Sequence, residues 1–480
     1  MKEPISFIKT VFPKDFIFGT ATASYQIEGA VNEDGRGISV WDTFSHKKGK
    51  IRKGHTGDIA CDHYHRYKDD VSLMKEIGLD AYRLSISWSR VMPSGTHVVN
   101  PAGIEFYSNL IDELLAAGIT PYVTLFHWDM PQALDDKYDG FLSRQAAYDF
   151  ADFVEVVVKA LGDRVKNWIT LNEPWEHGCF GYVMGKHAPG KVKPWRYLTV
   201  MHNQHLAHGL AVKKIRQFYP DSQVGITLSF TPIYPKTSSK KDKKATALAN
   251  EFMNFISLDP LLKGHYPKEL WKKFGWFKAK IEQGDLEIIQ QPVDFIGINY
   301  YSREFAKYSP WVPFLNAWIE DGGDVPDKDF IKDGVQHTSM GWEVFPQGLS
   351  DILQWFREDY GNPKVYITEN GAAFNDTIEN GVVDDPKRIN FLSQYMQAAQ
   401  QEIAKGSNLH GYFVWSFLDN FEWAAGYDKQ FGIVHVDYQT QKRTIKNSGL
   451  WYKDLIRKNK VANNKLANNK LIDMNVSSKG

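Results

Sequence analysis

Short apolar runs that end in small or polar residues recur along the whole chain. Eight of these runs are rich in β-branched and aromatic residues, a composition typical of buried strands. They cover residues 16–20, 81–87, 121–126, 168–171, 224–229, 294–298, 365–368 and 411–416. The pattern therefore predicts eight short strands, each of which ends at a polar position.

Segments with helical periodicity precede seven of the eight predicted strands. In 62–78, Val71, Met74 and Ile77 share one helix face, and Gly78 stands where a C-terminal cap is expected. The other helical segments are 104–118, 143–161, 198–218, 246–262, 347–359 and 387–404. Strands that alternate with helices pair in parallel through crossover connections. Eight such units predict an α/β fold with a single (β/α)8 TIM barrel.

The chain has 480 residues, whereas a barrel of this kind typically needs about 250. The additional length lies in loops that follow strands and so rise over the C-terminal face: 29–60, 174–197, 231–245 and 302–345. A doubly wound sheet is the structural alternative, but it is expected to carry a glycine-rich phosphate turn after its first strand. The segment FGTATA at 18–23 lacks such a turn.

Composition narrows the possible partners and the compartment. Lys plus Arg and Asp plus Glu both number 57, which argues against nucleic acid or an anionic membrane as the main partner. No stretch reaches the ~18 apolar residues of a membrane span. Cys61 and Cys179 cannot build a disulfide framework or a zinc site, and the N-terminus does not resemble a signal peptide. We expect a cytoplasmic protein with a catalytic barrel, 1–460, and a disordered polar tail, 461–480, in which ANNKL is repeated.

Polar and aromatic residues stand at or just beyond the ends of the predicted strands. In a barrel these positions share one mouth, where active sites of this fold are built. The residues are Gln26, Arg83, His127, Trp128, Asn172, Glu173, Asn299, Tyr301, Glu369, Trp415, Glu422 and Trp423. Taken singly, Glu369 would be a solvated turn residue, His127 a hydrogen-bonded structural histidine and Trp415 a core residue. Core packing does not require so many polar residues at one end, so the set predicts a functional site.

Two carboxylates, without a metal-binding cluster or a phosphate loop, suggest general acid/base chemistry combined with a nucleophile. Amides, histidine and carboxylates hydrogen-bond hydroxyl groups, and tryptophan offers its face to a sugar ring. The combination indicates glycoside hydrolysis, with a small glycoside as substrate and no cofactor or metal expected.

Four motifs in order resemble glycoside hydrolase family 1, the β-glucosidase family. They are FGTATASYQIEG at 18–29, TLNEP at 170–174, ITENG at 367–371 and WSFLDNFEW at 415–423. The resemblance extends from about Phe12 to about Ile456. It implies a (β/α)8 barrel and an enzyme that hydrolyses β-glycosides with retention of the anomeric configuration.

The resemblance also implies roles for individual residues. Glu369 matches the nucleophile and Glu173 the acid/base. Gln26, His127, Asn172, Glu422 and Trp423 match residues that hold the non-reducing sugar, and Trp415 matches the tryptophan beneath it. Arg83, Asn299 and Tyr301 match residues around the nucleophile, and Trp342 matches the wall of the leaving-group subsite.

Several functional alternatives remain at this stage. Because Glu173 is intact, cleavage of O-glycosides rather than thioglycosides is expected, and Glu422 would repel a phosphorylated sugar. Gln26 and Glu422 can bind the 4-hydroxyl group of glucose, galactose or fucose, so a β-glucosidase with side activities is expected. A binding protein without catalysis and a transglycosylase are the other functional classes. The segment 175–180 and the loop 302–345 show no family pattern, which leaves the leaving group open.

Overall fold

Eight parallel strands form a closed barrel. The computed structural model describes residues 11–320, 328–332 and 334–477, with side chains up to residue 466. The strands are β1 (Ile17–Ala21), β2 (Ala81–Ser85), β3 (Thr120–Thr124), β4 (Asn167–Asn172), β5 (Gln223–Phe230), β6 (Phe295–Tyr300), β7 (Val365–Asn370) and β8 (Leu409–Trp415). Each strand pairs with its neighbours in chain order, and β8 closes the barrel against β1. The predicted (β/α)8 fold is confirmed.

Helices connect the strands on the outside of the barrel. They are α1 (His63–Ile77), α2 (Pro101–Ala116), α3 (Gln145–Leu161), α4 (Tyr197–Phe218), α5 (Lys240–Asn250), α6 (Ile256–Leu262), α7 (Pro346–Asp359) and α8 (Pro386–Ala404), followed by α9 (Asn447–Ser477) after β8. Gly78 ends α1 with a φ of 83°, as expected for a C-terminal cap. In α3, Phe150, Val154 and Leu161 are buried on one face, which lies in the main hydrophobic core.

The predicted helix 246–262 is wrong in its start and in its continuity. Helix α5 begins earlier, at Lys240, because Ser239 caps it by accepting a hydrogen bond from the Asp242 amide. A π-helical turn, Glu251–Phe255, then separates α5 from α6. The polar run KKDKK at 240–244 carries no apolar stripe, so periodicity alone could not reveal the first turns of this helix.

The loops over the C-terminal face contain secondary structure of their own. Strand Glu304–Tyr308 pairs with Ile233–Pro235 and with Ala317–Glu320, so the loops after β5 and β6 share a small sheet. Further short strands are Phe330–Lys332, Val335–His337, Ile378–Glu379, Val382–Val383, Val434–Val436 and Arg443–Ile445. Short helices are Ser24–Ile27, Val40–Ser45, Trp88–Val91, Gln132–Tyr138, Pro174–Gly178, Lys268–Lys273 and Asp285–Ile289.

Aromatic side chains fill part of the barrel interior. The Tyr122 ring lies 5.0 Å from that of Phe413 and 5.6 Å from that of Tyr366, which in turn lies 5.2 Å from Phe295. Since β3 is not adjacent to β7 or β8, these contacts cross the barrel. The interior is therefore a packed core, as expected for this fold, and it supports the side chains at the C-terminal ends of the strands.

The C-terminal helix α9 extends as far as Ser477, and residues 478–480 lie outside the described part of the chain. The Ala, Leu and Lys residues of the ANNKL repeat favour a helix. The division into a barrel at 1–460 and a disordered tail at 461–480 stays a prediction. Among the described residues, none of the helices is long and apolar enough to cross a membrane.

Candidate active site

The two predicted catalytic carboxylates come from strands on different sides of the barrel. Glu369 is the fifth residue of β7, and Glu173 directly follows β4. Both are buried, with 3% and 6% of their surfaces exposed. Because the barrel brings the C-terminal ends of its strands to one face, the two side chains share a single pocket at the mouth.

A chain of hydrogen bonds joins Glu369 to Glu173. Arg83, fully buried in β2, donates from Nη1 to Glu369 Oε1 at 2.5 Å and from Nη2 to Asn172 Oδ1 at 2.6 Å. Asn172 Nδ2 donates to Glu173 Oε2 at 3.2 Å, and Asn299 Nδ2 donates to Glu173 Oε1 at 2.8 Å. The guanidinium group and two amides therefore fix the carboxylates relative to each other.

A second set of contacts orients these groups. The Tyr301 hydroxyl group donates to Glu369 Oε2 at 2.7 Å, so both oxygens of this carboxylate have a donor. Thr368 Oγ1 donates to Asn299 Oδ1 at 2.8 Å, and Arg83 Nε donates to Thr124 Oγ1 at 3.1 Å. Sequence reasoning missed Thr124 and Thr368, because in a strand threonine looks like an ordinary β-forming residue.

The pKa values of the two carboxyl groups are raised to different extents. Burial raises the pKa of Glu369, while the Arg83 cation and the Tyr301 hydroxyl group act in the opposite direction. Burial raises the pKa of Glu173 well above its usual range, and the charges of Glu176 and Glu369 raise it further. Since Glu369 pairs directly with Arg83 and Glu173 does not, Glu173 holds a proton when Glu369 is ionised.

Gln26 and Glu422 lie together on the loops after β1 and β8. Gln26 Nε2 donates to the Phe421 carbonyl at 2.9 Å and to Asn420 Oδ1 at 3.1 Å, and it lies 3.4 Å from Glu422 Oε2. Burial and the charge of Glu369 raise the pKa of Glu422 to about 8. The pair thus presents neighbouring donor and acceptor groups, an arrangement suited to hydroxyl groups.

Aromatic rings form one wall of the pocket around His127. The His127 ring lies 5.9 Å from the rings of Trp415 and Trp423, and Trp423 also lies 4.7 Å from Trp128 and 4.5 Å from Trp41. Burial and the charge of Arg83 lower the pKa of His127 well below its usual value, so the imidazole is neutral. Its Nε2 lies 3.0 Å from Asn172 Nδ2.

Trp342 comes from the long loop after β6. Its ring lies 5.2 Å from that of Tyr301, and the side chain is partly buried. The loop 302–345 therefore reaches the Glu369 side of the pocket. All the predicted site residues thus lie at the same end of the barrel.

Three residues of the site have left-handed backbone conformations. Glu173, Trp128 and Trp423 have φ values of 47°, 76° and 46°. Residues other than glycine, asparagine and aspartate seldom adopt this backbone region. Such strain is retained where the surrounding structure fixes it, often at functional sites. No sequence pattern indicates it here.

Glu176 is a further acidic residue that sequence reasoning missed. It lies in the first turn of the short helix Pro174–Gly178, which Glu173 precedes. Its charge is one of the causes that raise the pKa of Glu173. The available signal was its position, three residues after Glu173. Among the described residues, no group of three His, Cys, Asp or Glu side chains is arranged to hold a metal ion.

Comparison with known proteins gives consistent matches over nearly the whole chain. The family model for glycosyl hydrolase family 1 matches residues 8–461. β-Glucosidase A from Acetivibrio thermocellus is 48% identical, over 94% of this chain and 99% of that protein. β-Glucosidase 12 from Oryza sativa subsp. japonica is 43% identical, over 93% of this chain and 92% of that protein. The solved β-glucosidase from Thermotoga maritima in complex with deoxynojirimycin superposes with a TM-score of 0.88 at 43% identity, over 94% of this chain and 99% of that one.

Proposed function

The chain belongs to glycosyl hydrolase family 1 and is a retaining β-glucosidase, and we propose that Glu369 and Glu173 carry out its two chemical steps. It hydrolyses terminal non-reducing β-D-glucosyl residues from oligosaccharides or from aryl and alkyl glycosides. The observation that supports the assignment of residues is the continuous hydrogen-bonded network from Glu369 through Arg83 and Asn172 to Glu173.

In the first step, Glu369 attacks the anomeric carbon while Glu173 transfers its proton to the oxygen of the leaving group. Arg83 and Tyr301 hold the attacking carboxylate, one at each oxygen. The bond to the leaving group breaks, the alcohol departs, and a glycosyl ester forms on Glu369.

In the second step, water hydrolyses this ester. Ester formation removes the negative charge of Glu369, so the pKa of Glu173 falls and its carboxylate can accept a proton from water. The water attacks the anomeric carbon from the side that the leaving group vacated. Two inversions give net retention of the β configuration.

We assign the residues of the pocket to the sugar as follows. Gln26, His127, Asn172, Glu422 and Trp423 bind hydroxyl groups of the non-reducing glucose, and Trp415 lies beneath its ring. Trp342 forms a wall of the leaving-group subsite. Their common position at the mouth and the neutral state of His127 support this assignment. Galactosyl and fucosyl residues are further substrates, because Gln26 and Glu422 accept more than one orientation of the 4-hydroxyl group.

A pair of substitutions tests the two catalytic roles against each other. Glu369→Gly is expected to abolish hydrolysis, and azide to restore cleavage of an activated aryl β-glucoside with formation of the α-glucosyl azide. Glu173→Gly with azide is expected to give the β-glucosyl azide, since Glu369 still forms the covalent intermediate. If both variants gave the same anomer, the roles of Glu369 and Glu173 would have to be revised.

We propose a cytoplasmic location for the enzyme. Cys61 and Cys179 are buried free thiols, as expected in a reducing compartment. Fractionation of the source cells should place the β-glucosidase activity with cytoplasmic markers. Activity that is found mainly in the culture medium would contradict this location.

A further inference from the structure

Glu176 lies beside the proposed acid/base but takes part in neither chemical step. It stands three residues after Glu173, in the first turn of the helix Pro174–Gly178. Glu173 is the residue that directly precedes this helix and Glu176 lies within its first turn, so the two residues are close along the chain at the mouth of the barrel. Glu176 keeps part of its surface accessible, whereas Glu173 is buried. Glu176 is therefore placed to meet a ligand that Glu173 protonates.

The carboxyl group of Glu176 is incompletely satisfied by the protein. The side chain of Ser229, near the end of β5, and the backbone amide of Glu176 itself hydrogen-bond to it. Its Oε2 atom is buried, and among the described residues no donor lies within hydrogen-bond distance of it. A buried oxygen without a protein partner needs a donor from outside the protein, which a water molecule or a bound ligand supplies.

Gln26, which is assigned to the non-reducing sugar, also has a buried oxygen without a hydrogen-bond donor in the described part of the chain. Its Nε2 is fully engaged by the loop after β8, whereas Oε1 is buried and has no donor among the described residues. The pocket thus contains unpaired acceptors on the loops after β1 and β4. In the assignment given above, a hydroxyl group of the non-reducing glucose pairs with Gln26. A different hydroxyl group is needed to pair with Glu176.

We propose that Glu176 is a specificity-determining residue that hydrogen-bonds a hydroxyl group of a sugar leaving group, and so favours oligosaccharides over aryl glucosides. This inference rests on the proposed role of Glu173. The oxygen that Glu173 protonates is bonded to the leaving group, so the leaving group must lie on the Glu173 side of the pocket. A second glucose unit presents hydroxyl groups there, and an aryl ring presents none.

Electrostatics are consistent with this role. Burial is the main cause that raises the pKa of Glu176 to about 7, and the charge of Glu369 contributes. At neutral pH the carboxyl group therefore exists in both forms and can accept or donate a hydrogen bond. The charged form also raises the pKa of Glu173, which couples leaving-group recognition to proton transfer.

The test compares kcat/KM for cellobiose and for p-nitrophenyl β-D-glucoside in three variants. Glu176→Leu removes the hydrogen bond, and Glu176→Gln keeps hydrogen bonding but not the charge. Glu105→Leu, at an exposed position on α2, is the matched control. With Glu176→Leu, cellobiose should lose roughly 10- to 100-fold, the effect of a hydrogen bond to an ionisable group. The aryl glucoside should change by less than about threefold, and Glu176→Gln should fall between the wild type and Glu176→Leu.

Two further measurements separate this role from structural damage. The melting temperature of Glu176→Leu should stay close to that of the wild type, because the lost hydrogen bond to Ser229 is offset by removal of an unpaired buried oxygen. In Glu176→Gln the alkaline limb of the pH–rate profile should move to lower pH, because the charge that raises the pKa of Glu173 is absent.

The selectivity ratio decides the outcome. The proposal for Glu176 would be overturned if Glu176→Leu left the ratio of kcat/KM for cellobiose to kcat/KM for the aryl glucoside unchanged, whether both values stayed the same or fell equally. The proposed function has a separate test, because a wild-type enzyme that hydrolysed neither substrate would contradict the function itself.

Discussion

Replacing Arg83 by methionine removes the guanidinium group from Glu369 while keeping most of the side-chain volume. Arg83 is fully buried and donates to Glu369 Oε1 at 2.5 Å. In the variant, Glu369 keeps the hydroxyl group of Tyr301 but loses the charge that opposes the effect of burial on its pKa. The carboxylate can then avoid an unpaired buried charge by taking up a proton.

The size of this effect follows from the geometry of the pair. Breaking a buried ion pair by removing one partner costs about 3–5 kcal/mol. Since about 1.4 kcal/mol corresponds to one pKa unit, the lower figure raises the pKa of Glu369 by about 2 units. In the proposed mechanism only ionised Glu369 attacks the substrate, so the acidic limb of kcat/KM should move to higher pH by about the same amount.

The assay is the pH dependence of kcat/KM with an aryl β-glucoside. Arg164→Met is the control, because Arg164 forms an ion pair with Asp112 near the protein surface, away from the pocket. The pH dependence of the free energy of unfolding is a second measure of the pKa of Glu369. The pKa of Glu369 lies above its usual value in the folded enzyme, so its contribution to stability is present at low pH and lost as pH rises. The urea midpoint of Arg83→Met, relative to wild type, should therefore fall with increasing pH. An acidic limb that stayed in place would refute the electrostatic role of Arg83.

Three other predictions follow from the same site. Glu173→Ala should lower kcat/KM for cellobiose by about 10²–10⁴-fold but that for a dinitrophenyl glucoside far less, and an equal loss on both would contradict the role of Glu173 as the acid. Gly371→Ala should abolish activity or soluble expression, because a Cβ there would lie 1.6 Å from the Trp415 carbonyl oxygen, and a wild-type melting temperature with full activity would contradict this packing. In a panel of aryl β-glycosides, the glucoside, galactoside and fucoside should all be cleaved and the 4-deoxyglucoside should be a much poorer substrate, and a 4-deoxyglucoside cleaved as well as the glucoside would contradict the roles of Gln26 and Glu422.

The barrel could be predicted from sequence because its signals are local. Each strand is a short apolar run, and most helices carry their own apolar face. Eight strands that alternate with helices therefore identify the fold without knowledge of any long-range contact. The break between α5 and α6 was missed, since Lys240 and its neighbours are polar and a π-helical turn has no sequence pattern. The strand Glu304–Tyr308 was missed because it pairs with a different loop.

The candidate site was predictable to the extent that strand ends define it. Glu369, Glu173 and Arg83 stand in or directly after strands, and a barrel gathers the ends of its strands at one face. The Trp41 ring lies 4.5 Å from that of Trp423, yet Trp41 belongs to the loop 29–60, where composition gives no indication of contact with the loop after β8. Glu176 was overlooked because its significance depends on a three-dimensional fact, the absence of a protein donor for Oε2 among the described residues.

In the proposed mechanism, Glu369 becomes covalently bound to the sugar. The most direct measurement uses a 2-deoxy-2-fluoro-β-glucoside with a good leaving group, which slows release of the intermediate, followed by peptide mass spectrometry of the inactivated enzyme. We predict one fluoroglucosyl group per chain, attached to the peptide that contains Glu369, and a slower reaction in Arg83→Met. A label on Glu173 or Glu176, or hydrolysis with inverted configuration and no covalent adduct, would contradict the mechanism.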